Sequence, residues 1–127
     1  MGTEPRVFLT IGAVLAGISV AAGAFGAHAL KAILTPEMLA VFETGARYQM
    51  YHALALIAVG LSLERRPHPA FARAGWAFLV GIALFSGSLS ALALSGLRVF
   101  GALTPLGGLA FLIGWGLLAW GWWQQAE

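Results

Sequence analysis

The chain has 127 residues, 60% of them hydrophobic and 9% charged, with a formal net charge of +2. Soluble domains carry about 25% charged residues, so this composition excludes a soluble domain and indicates an integral membrane protein. The basic residues are few and scattered, so no nucleic-acid partner is expected. Cysteine is absent, which excludes disulfides, thiol catalysis and thiolate metal sites.

Four apolar stretches account for most of the chain, and nearly every charge lies between them. Residues 7–30, 74–97 and 99–126 contain no Asp, Glu, Lys or Arg, and residues 48–63 form a shorter stretch of the same kind. A helix needs roughly 20 apolar residues to cross the hydrocarbon core, and in lipid its backbone satisfies its own hydrogen bonds. The predicted fold class is therefore all-α, a four-helix transmembrane bundle that forms one integral membrane domain over residues 1–127.

The first predicted span covers residues 7–29. Its flanks resemble a signal peptide, with Arg6 before the apolar run and Ala27-His28-Ala29 as a small-x-small cleavage site. The run is longer than the apolar region of about 7 to 15 residues that signal peptides contain. We therefore expect a retained transmembrane helix.

The second span follows a local helix start. Thr35, Pro36 and Glu37 supply an N-cap, a proline for the first helical position and an acid for the first turn. Either this helix extends into the span with a weak point at Gly45, or a short interfacial helix ends there and the span begins near Ala46. The predicted span itself covers residues 46–63.

The third and fourth spans are bounded by prolines. Pro67 and Pro69 lack amide donors and end the second helix, so the third span is predicted over residues 71–97. Thr104 and Pro105 then begin the fourth span, which is predicted over residues 104–123. With four spans, the N-terminus, the 64–73 loop and the C-terminus share one side of the membrane.

The distribution of basic residues favours placing that side in the cytoplasm. The side that holds both termini carries four basic residues, Arg6, Arg65, Arg66 and Arg73. The other side carries three, Lys31, Arg47 and Arg98. Under the positive-inside rule, both termini are predicted to be cytoplasmic.

One polar segment, residues 43–52, interrupts the apolar pattern inside a predicted helix. Glu43 and Arg47 are four residues apart in the favoured acid-first order. Six polar side chains of the segment fall within one half of the helix, namely Glu43, Thr44, Arg47, Tyr48, Tyr51 and His52. His28 ends the first helix on the same side of the membrane. We predict one cluster near the non-cytoplasmic interface, which is also the candidate ligand-binding site: His28, Glu43, Arg47, Tyr48, Tyr51 and His52.

Several interpretations of this cluster are open. The favoured one is a structural clamp, in which Arg47 pairs with Glu43 and donates to carbonyls at the end of the first helix. Ionisable groups in membrane spans are costly and often mark sites, so a ligand or lipid site, or proton or ion chemistry, is the alternative. His28, His52 and Glu43 are side chains that zinc accepts, but their spacing does not support a metal site. No metal, other cofactor or catalytic residue is predicted.

Small residues at helical spacing indicate close helix packing. Ala13, Gly17 and Ala21 share one face of the first span, and residues 86–88 form a small face in the third. Such faces allow helix backbones to approach closely in lipid. The expected partners are membrane lipid and a second copy of the chain or a larger membrane complex.

Four segments, taken in chain order, resemble the YgdD-like family known as domain of unknown function four-two-three. They are residues 23–30, 42–56, 85–89 and 104–108, and together they cover almost the whole chain. One departure is Ser90, where the family pattern has Tyr, and it concerns a contact of the third helix. The resemblance implies a small multi-pass protein of the bacterial inner membrane, and it carries over no activity and no catalytic residue.

Three functional hypotheses follow. The first is a non-enzymatic structural or accessory protein or a lipid-binding module. The second is an oligomeric small-molecule or ion transporter or channel, although the first, third and fourth spans contain no acid, which argues against cation–proton antiport. The third is a quinone- or lipid-binding component of a membrane enzyme that uses His28, His52 and Tyr48.

Overall fold

The fold is all-helical, as the apolar stretches predict. The computed structural model describes residues 1–125 and places them in four helices without a strand. The helices are α1 (Thr3–His28), α2 (Pro36–Arg65), α3 (Pro69–Ser95) and α4 (Thr104–Gln124). Ala126 and Glu127, the last two residues of the predicted domain, lie outside the described residues.

Three helical segments are long and apolar enough to cross a membrane, namely Thr3–Ala32, Pro69–Ser95 and Arg98–Gln124. The first and the last include short 3₁₀ turns at the end of the molecule opposite the α2–α3 connection. The remaining helix, α2, is 30 residues long but carries polar side chains, which lower its hydropathy.

The start of α2 follows from its local sequence. The Thr35 side chain accepts a hydrogen bond from the Met38 amide at 3.1 Å, and Pro36 occupies the first turn. The helix then continues without a break to Arg65, so the structure contains one continuous helix and no separate short helix that ends at Gly45. Gly45 is a close-packing position: a Cβ there would lie 3.2 Å from the Ser86 carbonyl oxygen of α3.

The ends of α3 also have local causes. His68 caps the helix by accepting a hydrogen bond from the Ala70 amide at its Nδ1, 3.1 Å away, so α3 begins at Pro69, slightly before the predicted span. Its last residue is Ser95 because Gly96 adopts the left-handed conformation, with φ of 73°, that glycine tolerates at a helix C-terminus.

Within α3, the segment Ile82–Ser86 is a π-helical turn that the sequence analysis does not predict. The Gly87 amide bonds to the Ile82 carbonyl, one residue farther back than in an α-helix. The hydroxyl of Ser86 is buried and has no hydrogen-bond partner among residues 1–125.

The helix α2 occupies the centre of the bundle, with α1 on one side and α3 on the other, and α4 packs mainly against α3. Close approach between α1 and α2 depends on glycine, since a Cβ at Gly12 would lie 2.8 Å from the Ala53 carbonyl oxygen. Between α3 and α4, phenylalanine rings lie over glycines of the facing helix; the pairs are Phe78 with Gly114, Phe71 with Gly121 and Phe111 with Gly81.

The main buried core lies where these helices meet. Its largest fully buried side chains are Phe8, Phe71, Phe78, Leu56 and Leu118. The outer faces of α1 and α4 instead expose large apolar side chains, such as Val14, Ile18, Leu109 and Leu112. This arrangement suits a lipid environment, where apolar side chains cover the outside of the bundle.

Candidate functional site

His52 is the most buried ionisable side chain of the predicted cluster, with 4% of its surface exposed. Its position on α2 directs the ring towards α3 and α4. The ring Nδ1 lies 2.6 Å from the Tyr48 carbonyl oxygen, and the ring Nε2 lies 3.1 Å from the indole Nε1 of Trp115 on α4.

These two contacts determine the protonation of the ring. An indole N–H only donates and a carbonyl oxygen only accepts. Nε2 of His52 therefore accepts from Trp115, and Nδ1 donates to Tyr48, which is the neutral Nδ1–H tautomer. Both ring nitrogens are occupied, and a second proton at Nε2 would face the Trp115 N–H group and break that hydrogen bond.

Aromatic rings enclose the same imidazole. Phe111 stacks on His52 with ring centroids 3.5 Å apart and an angle of 6° between the ring planes. Phe78 and Trp115 each lie 5.7 Å from the imidazole centroid, and their own rings meet edge to face. The His52 side chain is thus a hydrogen-bonded packing residue between α2 and α4.

The structure brings two of the other predicted residues next to His52. The Tyr48 ring lies 6.2 Å from the imidazole and 5.5 Å from the Tyr51 ring, measured between centroids. It also contacts Phe85 of the π-helical turn, at 4.8 Å. Tyr48 and Tyr51 are 37% and 49% exposed, so this part of the predicted cluster opens to the surface of the bundle.

The remaining predicted residues are placed differently. Arg47 and His28 are exposed and Glu43 is half-buried, and within residues 1–125 none of these side chains forms a hydrogen bond or an ion pair. The predicted clamp between Arg47 and the end of α1 is therefore corrected. The cause is tertiary: α2 packs on α1 along one face and on α3 along another, and the Glu43–Arg47 face is neither.

The polar link between α1 and α2 is instead Gln49, which the sequence analysis did not select. Its Nε2 donates to the Leu15 carbonyl oxygen at 3.1 Å, and the Ser19 hydroxyl donates to the same oxygen at 2.9 Å. A usable signal existed, because Gln49 lies at helical spacing from Phe42 and Ala53, which both face α1.

Two further hydrogen bonds hold α4 in place at its ends. The Ser88 and Thr104 hydroxyls lie 2.7 Å apart near the α3–α4 connection. At the opposite end, the Trp122 indole donates to the Ser62 hydroxyl of α2 at 2.9 Å. Together with Trp115, these contacts attach α4 to its neighbours at three depths.

A groove of about 610 Å³ lies between the ends of α2 and α4, on the side of the α2–α3 loop. Arg65 and Arg66 line it, and Arg66 Nη1 donates to the Gln125 carbonyl oxygen at 3.1 Å. This groove is at the opposite end of the bundle from the predicted cluster, and the sequence analysis did not identify it as a site.

Metal binding at the predicted cluster has no geometric support. Among residues 1–125, no three His, Asp or Glu side chains are placed to hold one ion, so His28, His52 and Glu43 do not form a ligand set. The chemistry that the cluster offers is hydrogen bonding and aromatic packing.

Residues 22–108 of the chain match the family described as Protein of unknown function (DUF423). The chain is 43% identical to the UPF0382 membrane protein YwdK of Bacillus subtilis, over 87% of this chain and 90% of YwdK. It is 41% identical to the UPF0382 inner membrane protein YgdD of Escherichia coli, over 89% of this chain and 86% of YgdD. A UPF0382 membrane protein of Haemophilus influenzae is 47% identical, over 90% of this chain and 91% of that protein. No solved structure matches the chain.

Proposed function

The chain belongs to the DUF423 family, which confirms the resemblance found in its sequence. From that premise, we propose that it is a non-enzymatic inner-membrane protein that works by binding another membrane component. Its relatives are named membrane proteins, and the family description assigns no activity. The chain is therefore a small membrane protein of unknown activity.

The observation that carries this proposal is the state of His52. A titratable group near the middle of a bundle is the natural candidate for proton, ion or quinone chemistry. Here both ring nitrogens are occupied, by Tyr48 and Trp115, and Phe111 covers a ring face. A side chain used in this way supports packing, which favours a structural, accessory or lipid-binding protein over a transporter or an enzyme.

Four spans are the second part of the proposal. At about 1.5 Å per residue, the 30-residue helix α2 is about 45 Å long, which exceeds a hydrocarbon core of about 30 Å. The excess lets the part of α2 that carries Glu43 and Arg47 extend towards the interface. The 18 residues from Tyr48 to Arg65 then extend about 27 Å, near the lower limit of the roughly 17 to 25 residues with which helices cross the core.

Both termini are proposed to be cytoplasmic, because the end of the bundle that carries them also carries Arg65, Arg66 and Arg73. Exposed Trp122 and Trp123 at that end suit the membrane interface. Fusions of a periplasm-active and a cytoplasm-active reporter to the C-terminus test this orientation. We expect activity only from the cytoplasmic reporter, and the reverse result would overturn the orientation.

Self-association also remains a proposal. Ala13, Gly17 and Ala21 are exposed on α1, so these small residues are available for contact with a second helix. Sedimentation in mild detergent at a high protein-to-detergent ratio tests this, and a monomer under all conditions would contradict it.

The binding role is tested with the purified full-length chain. Native mass spectrometry is expected to show bound phospholipid or a protein partner, and proteoliposomes are expected to show no proton flux above that of empty vesicles. The His52→Gln variant serves as the discriminating control. A stoichiometric quinone, or a proton flux, that is present in the wild type and lost in His52→Gln would overturn the proposal.

A further inference from the structure

The groove between α2 and α4 is lined by side chains whose chemistry changes with depth. Ala58 and Leu61 lie deeper, whereas Arg65 and Arg66 lie at the end of α2. At about 1.5 Å per residue, Ala58 and Arg65 are separated by about 10 Å along the helix axis. The groove is therefore apolar at its deeper end and carries two guanidinium groups at its outer end. The separation of these two parts is similar to that between the acyl region and the phosphate of a phospholipid.

The two walls of the groove are held in place by hydrogen bonds between helices. The Trp122 indole donates to the Ser62 hydroxyl at 2.9 Å, and Arg66 donates to the Gln125 carbonyl oxygen at 3.1 Å. Below them, the Phe71 ring of α3 packs against Gly121 of α4. Because these contacts are made within the protein, the groove is formed before any ligand enters, which reduces the ordering that binding requires.

The charge at this end of the groove is complementary to a phosphodiester. Arginine presents planar N–H groups that match phosphate oxygens, and basic groups near the surface attract anionic lipids. Glu64 neighbours Arg65 in sequence but does not line the groove. Arg73 lies in the adjacent helix and also stands outside the lining, so the groove itself contributes two basic side chains and no acidic one among residues 1–125.

We propose that this groove binds one anionic phospholipid, with its phosphate at Arg65 and Arg66 and an acyl chain along Ala58 and Leu61. The inference rests on the proposed binding role and names the class of ligand. A free phosphate would need only the arginines, whereas the apolar wall and the Trp122 side chain at the rim suit a molecule that also carries acyl chains. The leaflet is the cytoplasmic one in the proposed orientation.

The test is native mass spectrometry of the full-length chain in detergent, titrated with phosphatidylglycerol or phosphatidylcholine of matched acyl chains. We expect the wild type to prefer phosphatidylglycerol, and the double variant Arg65→Gln, Arg66→Gln to lose about tenfold or more in affinity for it. Arg73→Gln is the matched control, because it removes a charge from the same side of the membrane without touching the groove. Its affinity is expected to stay within about twofold of the wild type.

A second variant tests whether the site binds the acyl chain of a lipid or only a phosphate group. Ala58→Phe places a ring in the apolar part of the groove and leaves both arginines unchanged, so phosphatidylglycerol binding is expected to weaken severalfold. Inorganic phosphate is titrated in parallel. If Ala58→Phe binds phosphatidylglycerol as the wild type does while inorganic phosphate competes at similar concentration, the site recognises a phosphate group alone and the lipid assignment is overturned.

Equal affinity of the wild type and the double arginine variant for phosphatidylglycerol would also overturn the assignment. Melting temperatures measured in the same detergent establish that the variants are folded. This failure is distinguishable from failure of the proposed function, because proton flux or quinone binding depends on His52, which lies outside the groove. Unchanged lipid binding in the groove variants together with inert proteoliposomes would remove only the phospholipid assignment.

Discussion

Trp115 of α4 donates its indole N–H to the imidazole Nε2 of His52 on α2, over 3.1 Å. The two residues are far apart in the sequence, and their contact joins two helices that are not consecutive. It also gives the buried His52 ring a hydrogen-bond donor at its Nε2. His52 is only 4% exposed, so its Nε2 needs a partner within the protein, whereas Trp115 is 42% exposed and supplies that donor.

Trp115→Phe is expected to destabilise the protein by about 0.5–2 kcal/mol, because it keeps an aromatic ring but removes the donor that His52 Nε2 has among residues 1–125. Trp120→Phe is the matched control: Trp120 is in the same helix, is 56% exposed and is expected to tolerate the change. Thermal unfolding of both variants in one detergent measures the difference. Equal melting temperatures for the two variants would contradict the assigned role of the Trp115–His52 hydrogen bond.

Gln49→Leu is expected to destabilise the α1–α2 pair by about 0.5–1.5 kcal/mol, since leucine cannot donate to the Leu15 carbonyl oxygen. Arg47→Ala is expected to leave stability close to that of the wild type, because Arg47 is exposed and makes no hydrogen bond within the described residues. Chemical or thermal unfolding in the same detergent ranks the two variants. The opposite order would restore Arg47 as the clamp.

Ser86→Ala is expected to be neutral or to stabilise the protein by up to about 1 kcal/mol. The Ser86 hydroxyl is buried without a hydrogen-bond partner in the part of the chain that the structure describes, so its removal loses no bond and relieves the cost of burying a polar group. Ser88→Ala provides the contrast, because Ser88 bonds to Thr104 and its loss is expected to destabilise. A destabilised Ser86→Ala variant would show that the hydroxyl has a bonding role.

Gly114→Ala is expected to destabilise the α3–α4 contact by about 1–3 kcal/mol, because the added Cβ would lie 2.6 Å from the Phe78 ring and force repacking. Gly116→Ala in the same helix is the control, since nothing lies within 4 Å of a Cβ there. The higher helix propensity of alanine then makes Gly116→Ala neutral or stabilising. Similar melting temperatures for the two variants would contradict the packing described for α4.

Much of the helical organisation could be predicted from the sequence alone, because it depends on interactions between neighbouring residues. Thr35 and Pro36 begin α2 where predicted, because capping and the fixed φ of proline act on neighbouring residues. The all-α class follows equally directly, since uncharged stretches in lipid must satisfy their own backbone hydrogen bonds. The family resemblance was also available at this level, because it depends on residue identities in order.

The tertiary structure alone decided how the polar segment 43–52 is used. Helical periodicity places Arg47 and His52 on one half of α2 and Gln49 on the other, but it does not say which neighbours pack on either half. With α1 on one face and α3 on another, His52 is buried, Gln49 reaches α1 and Arg47 is left outside. The partner of His52 on α4 and the groove beside Arg66 likewise depend on contacts between helices distant in sequence, and residue spacing within one helix carries no information about those contacts.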